Sequence, residues 1–256
     1  MFLCEQLSNF SLSFKKFTHM VRLLSLSLLL TLTTTVFAQS AYWQQHVDYK
    51  IDVALDDKSN SLKGNINVVY KNNSPESLDF IWFHIWPNAY KNDSTALFQQ
   101  LKNDSTSEED LTKITRGEID GLNFKVDGKV AKTEPHSNPN YIDIIKVVLP
   151  KSLKPGQSTT ISTDFLVKLP SYFSRSGYAD GQYMATQWYP KPAVFDKNGW
   201  HEFPYLSMGE YYSEYGNFKV NITLPADYVV GATGILQSKD ELNQYKIIGA
   251  KNAANR

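Results

Sequence analysis

Over residues 46–55 the chain alternates strictly, with Val47, Tyr49, Ile51, Val53 and Leu55 on one side and His46, Asp48, Lys50, Asp52 and Ala54 on the other. A period of two is the mark of a strand with one buried face. Asp56, Asp57, Lys58, Ser59 and Asn60 interrupt the pattern with turn-forming residues, and Leu62, Gly64, Ile66, Val68 and Tyr70 resume it, which predicts a hairpin. After a second turn at Asn72-Asn73-Ser74-Pro75, both alternating sets are apolar over residues 78–86, the pattern of a strand buried on both faces. His84 lies inside that run between Phe83 and Ile85 and is expected to be a hydrogen-bonded core residue rather than a ligand.

Residues 91–120 turn polar and read as a long surface excursion, with one short helix around 96–101 and a charged stretch at Ser107-Glu108-Glu109-Asp110. Strand patterns return at Leu122, Phe124 and Val126, over residues 141–149, and at Thr159, Ile161, Thr163, Phe165, Val167 and Leu169. Asp127-Gly128 and Pro155-Gly156 supply the turns between them. Phe218, Val220, Ile222 and Leu224 make a further run that stops at Pro225, and residues 228–232 with 245–248 read as a last pair of strands. Many strands, frequent turn signals and no long helical period after the N-terminal segment predict an all-β fold, a β-sandwich or multi-sheet, saddle-like domain. Its expected core comprises Val47, Ile51, Val53, Ile66, Val68, Phe80, Trp82, Phe165, Val167 and Val220.

The N-terminus follows a different pattern. Lys15, Lys16 and Arg22 precede an apolar run over residues 23–36 that ends in Val36-Phe37-Ala38 before Gln39, the layout of a secretory signal peptide. The run is short for a membrane span of roughly 20 residues. Cleavage is expected after Ala38, with Met20 an alternative start and a retained anchor the alternative fate. The expected organisation is a signal peptide over residues 1–38 and one β-domain over 39–256, exported to a periplasm or the extracellular space, with no membrane span after cleavage.

The 42% hydrophobic and 13% aromatic content is ample for a packed core. Lys plus Arg equals Asp plus Glu at 26 each, which gives no electrostatic pointer to a nucleic-acid partner. The single cysteine, Cys4, lies before the proposed cut, so the mature chain has no thiol for a disulfide or a cysteine-ligated metal.

Aromatic and polar residues are densest over residues 182–216, a composition that suits either a ligand site or a surface packed on a neighbouring domain. His201-Glu202 invites comparison with the zinc-protease helix, in which two histidines four apart share one face. The fourth residue on is Tyr205, and Pro204 would obstruct a helix, so the zinc motif is absent. No Gly-x-Ser-x-Gly elbow is present, and Glu202 and Glu210 are paired acids without a known separation. No catalytic or metal-binding residue is assigned.

The order of features resembles the N-terminal β-domain of the M1 family of zinc metallopeptidases, the aminopeptidase N-like group. The matching stretches run from the hairpin with Tyr49-Lys-Ile-Asp-Val-Ala-Leu through Trp82-Phe-His-Ile-Trp-Pro and Ala185-Thr-Gln-Trp-Tyr-Pro190 to Phe218-Lys-Val-Asn-Ile-Thr-Leu-Pro225 and Val229-Val-Gly-Ala-Thr-Gly234. The resemblance implies a non-catalytic domain that forms one edge of a peptide-binding cleft. Zinc and the catalytic machinery would then belong to a missing C-terminal domain, and the chain alone would need no cofactor.

In that family a glutamine, and two places later a glutamate or glutamine, lie near the substrate's free amine. Gln187 matches the first; Tyr189 stands at the second and offers only a hydroxyl and a ring face. Trp188, Pro190, Trp200 and His201 are the further cleft or interface candidates, and Gln187 to Pro190 are expected to form an exposed rim. Ser207-Met208-Gly209-Glu210 is only superficially similar to the family's Gly-x-Met-Glu-Asn loop. The alternative is a stand-alone extracellular β-sandwich module binding glycan or protein through Trp188, Tyr189 and Trp200. The chain would be a gene fragment in the first case and a genuine short protein in the second.

Overall fold

The hairpin forms as the alternation requires: β1 (His46–Asp56) and β2 (Ser61–Lys71) pair antiparallel, with Ile51 opposite Ile66. Val47, Tyr49, Ile51 and Val53 are buried on the inner face. At the turn the Asp56 carboxylate accepts the Lys58 and Ser59 backbone N–H groups, and Asn60 takes a left-handed φ of 51° that an asparagine tolerates. The computed structural model describes residues 42–104, 108–209 and 211–254. The expected signal peptide and Glu210 lie outside the described residues.

β3 (Leu78–His84) stops two residues earlier than the apolar pattern suggests. Trp86 belongs instead to a 3-10 helix, Trp86–Tyr90, in which Pro87 has no N–H to offer a ladder. Next come α1 (Ala96–Asn103) and α2 (Glu108–Lys113), then the short strands β4 (Glu118–Asp120), β5 (Lys125–Val126), β6 (Lys129–Val130) and β7 (Thr133–Pro135). The excursion over residues 91–120 is therefore more than a surface loop. Leu97, Phe98, Leu101 and Leu111 join Trp86, Ala89, Tyr90 and Tyr205 in a second buried cluster.

β8 (Ile144–Leu153) and β9 (Ser158–Lys168) are long strands. The hairpin of β10 (Gly177–Ala179) and β11 (Gln182–Met184) is followed by the two-residue strands β12 (Lys191–Pro192), β13 (Phe195–Asp196) and β14 (Gly199–Trp200). β15 (Phe218–Thr223) and α3 (Lys239–Ala254) complete the element order. A seven-stranded sheet runs β15-β1-β2-β9-β5-β6 with β4 also on β9, and a four-stranded sheet runs β12-β3-β8-β7. Inner residues of both, such as Ile51, Val68 and Phe165 from one and Ile81, Phe83 and Val147 from the other, share one core. The domain is all-β and multi-sheet. No helix among the described residues is long and apolar enough to cross a membrane.

The expected core changes at two positions. Phe80 is half-buried, and Val220 is 38% exposed. β15 runs parallel to β1 with Phe218, Val220 and Ile222 opposite Tyr49, Ile51 and Val53, so the apolar alternation is on the core side, but it stands at the sheet's edge. The last expected strand pair is also corrected, because residues 228–232 form no strand and 245–248 lie within α3. A four-residue stretch such as Tyr245-Lys-Ile-Ile248 is too short for its period to separate strand from helix, and α3 buries none of its residues to reveal itself by an apolar face.

Candidate functional site

Residues 185–190 connect β11 to β12 and carry the two substrate-contact candidates. Gln187 has φ of 53°, a left-handed conformation that costs a residue other than Gly, Asn or Asp about 1–3 kcal/mol and needs surrounding structure to hold it. The holding is visible on its C-terminal side. The Trp188 ring lies 5.9 Å from Phe165, and the Tyr189 ring lies 5.8 Å from Tyr49 and 6.3 Å from Phe218. Burial pushes the Tyr189 hydroxyl up to about 12, which keeps it neutral. Pro190 is buried and residues 187–189 are half-buried, so the expected exposed rim is corrected: the rings pack on the sheet.

β12 places Lys191 directly opposite His84 on β3, and it is only 4% exposed. Its Nζ donates to Gln187 Oε1 at 2.7 Å and to Ser213 Oγ at 2.9 Å, and lies 4.1 Å from the centre of the Trp86 ring. Burial alone lowers the amine to about 7, with no carboxylate within ion-pair distance among the described residues.

His84 is 1% exposed and stacks on Trp86 with ring centres 4.3 Å apart. It is the core residue expected, but its two ring nitrogens find no hydrogen-bond partner among the described residues. Burial first, and the neighbouring Lys191 charge second, hold it well below the usual histidine range, with the approaching His201 main chain offsetting this only in part. The imidazole is neutral.

Two buried carboxyls complete the surroundings. Glu214 accepts the Phe195 N–H at 3.1 Å, and Asp143 accepts the Tyr205 N–H at 2.7 Å. Burial raises each to about 7. The His201 main chain approaches His84, but the side chains of His201 and Trp200 make their contacts elsewhere. His201 Nε2 lies 2.9 Å from Asp196 Oδ1 and holds that carboxyl below its usual range, while Trp200 packs 4.8 Å from Phe195. No hydrogen bond or ring contact joins them to Gln187 or Tyr189 among the described residues.

The described residues around His201 do not have the arrangement of the zinc-protease helix. Residues 201–206 form no helix, Tyr205 is buried in the second cluster, and the nearest carboxylate to His201 Nε2 is committed to it as a partner. Lys191, Ser213, Glu214 and Asp143 escaped sequence reasoning. Only Lys191 had a usable signal, as a lysine between two prolines inside an aromatic stretch.

No family model matches the chain. No curated protein matches it either. Among solved structures, the M1 zinc metallopeptidase from Deinococcus radiodurans is similar over 78% of this chain and 36% of its own, with 15% identity and a TM-score of 0.40. A mutant of that enzyme bound to a Tyr-Ser-Ala substrate gives the same values. Leukotriene A4 hydrolase from Saccharomyces cerevisiae is similar over 48% of this chain and 15% of its own, with 10% identity and a TM-score of 0.29. The chain spans little more than a third of the length of the first of these proteins.

Proposed function

We propose that this chain is the non-catalytic N-terminal β-domain of an exported M1-like zinc metallopeptidase, forming one edge of its peptide-binding cleft. The observation that carries this reading is Gln187: a strained backbone and a fixed side-chain amide, on the loop where the sequence resemblance puts a substrate contact. Peptide hydrolysis in this family needs a zinc-held water and a general base. Both are assigned to a catalytic domain joined after this one, and peptide is the substrate of the whole protein. Signal-peptide cleavage after Ala38 leaves the domain in a periplasm or outside the cell. A glycan module is the weaker reading, because Trp188, Tyr189 and Trp200 are half-buried and pack against the core instead of standing free as a platform.

The test is the DNA after the Arg256 codon. An in-frame or frameshifted His-Glu-x-x-His helix supports the proposal, and a genuine stop followed by an unrelated gene removes it. Purified residues 39–256 are expected to turn over no aminoacyl reporter with or without added zinc. Chelator-sensitive turnover lost in His201→Ala would make His201 a ligand and overturn the assignment.

A further inference from the structure

A buried ammonium with no carboxylate beside it is costly, and a methionine of similar volume would fill the space under the Gln187 loop without that cost. Lys191 nevertheless sits there, its charge met only by an amide oxygen, a hydroxyl and a ring face. What it does to Gln187 follows from its chemistry. While Lys191 is protonated, below about pH 7, it has donors and no acceptor, so the amide atom facing it is oxygen and the side chain is not turned end for end. The Gln187 Nε2 protons then have no partner among the described residues, and the residue is only half-buried.

The left-handed backbone fixes where the amide leaves the chain, and Trp188 and Tyr189, packed on the sheet, fix the loop that follows. The loop therefore offers an amide donor at Gln187 with, below about pH 7, the Lys191 charge behind it, and two places on it carries a half-buried neutral tyrosine rather than a carboxylate. Such an edge attracts oxygen acceptors and repels ammonium groups.

We propose that Lys191 is a positioning and specificity-determining residue: it holds Gln187 with its amide N–H2 outward, so that the loop binds a carbonyl or carboxylate oxygen and rejects a free α-ammonium. This rests on the cleft-edge reading of the loop and deepens it. The ligand class becomes a peptide that enters with an acyl or carboxylate group, as an N-blocked or internal segment does, and not a free amino terminus.

Proton–nitrogen correlation spectra of the full exported chain test this, with the Gln187 side-chain amide assigned by its loss in Gln187→Glu. Three matched probes are tyramine, its N-acetyl derivative and the deaminated acid hydroxyphenylpropionate. The Gln187 amide is expected to shift saturably with the acyl probe, the acid or both, which separates the two oxygen sources, and to stay still with tyramine. Lys191→Met should lose that preference with the backbone spectrum intact, and Lys191→Arg should keep it.

Should Lys191→Met fail to fold, Gln187→Glu serves instead, with tyramine now expected to shift the Trp188 backbone amide. Tyramine acting as strongly as the acyl probe on the unaltered chain, or an unchanged preference in Lys191→Met, overturns the role of Lys191 and leaves the cleft edge standing. No response to any probe overturns both.

Discussion

Lys191 Nζ and the Trp86 ring are 4.1 Å apart, and His84 stacks on that same indole. One side chain is thus a support for a cation and for a neutral imidazole, and its Nε1–H donates to the Phe203 carbonyl at 3.2 Å. Trp86→Ala is expected to cost about 3–5 kcal/mol from lost burial and the cavity. Urea unfolding measures it, and a loss near zero would mean that the second cluster closes without the indole.

The pH dependence has a definite sign. Burial raises Glu214 and Asp143 to about 7, so the folded state keeps protons that the unfolded chain releases near pH 4. Their contribution is fully present below about pH 4 and is lost as pH rises through about 7. Lys191 is lowered to about 7, so above that the unfolded chain binds the proton the folded amine has released, and stability rises towards about pH 10. The three groups together put a trough near neutrality. Denaturant midpoints from pH ~4 to ~10 check it: Glu214→Gln should flatten the acid limb and Lys191→Met the alkaline one.

Strand register can be tested by comparing three truncations. Ile51→Ala should cost about 2–4 kcal/mol and Val167→Ala about 1–3 kcal/mol, since both sites are sealed in the core. Val220→Ala, beside Ile51 but at the open edge, should cost about 0.5 kcal/mol or less. Equal losses at Ile51 and Val220 in chemical denaturation would show that β15 is covered.

Gly216 brings the chain into β15, and a Cβ there would run into the Val47 carbonyl. The neighbouring bonds, Val47 N–H to the Tyr215 carbonyl at 3.0 Å and Tyr49 N–H to the Asn217 carbonyl at 2.8 Å, need that close approach. Gly216→Ala is expected to cost about 1–3 kcal/mol. Hydrogen exchange should speed up at the Val47 and Tyr49 amides first, and uniform exchange across β1 would contradict a local cause.

The long strands were legible because each carries its own period: β1, β2 and β9 alternate over whole turns of pattern and show which face is buried. Gln187 became a candidate through resemblance alone, in a motif whose spacing can be read without knowledge of the fold. The partners that give Gln187 its character were not legible. Lys191 and His84 are brought together by β12 pairing with β3, a contact between residues over a hundred positions apart that no local pattern encodes, and Ser213 joins them from a later loop. α3 was misread for the opposite reason: its apolar residues follow no face, and none of its described residues is buried to give them one.

β15 is a strand whose inward side is apolar and whose outer edge pairs with no strand among the described residues. Unpaired edges of this kind recruit other chains unless something spoils the match. Along β15 the only charged side chain is Lys219, flanked by exposed Phe218 and Val220. Protection of this edge therefore rests on a single ammonium group, and a neutral residue in its place would turn a strand end into a seed for association.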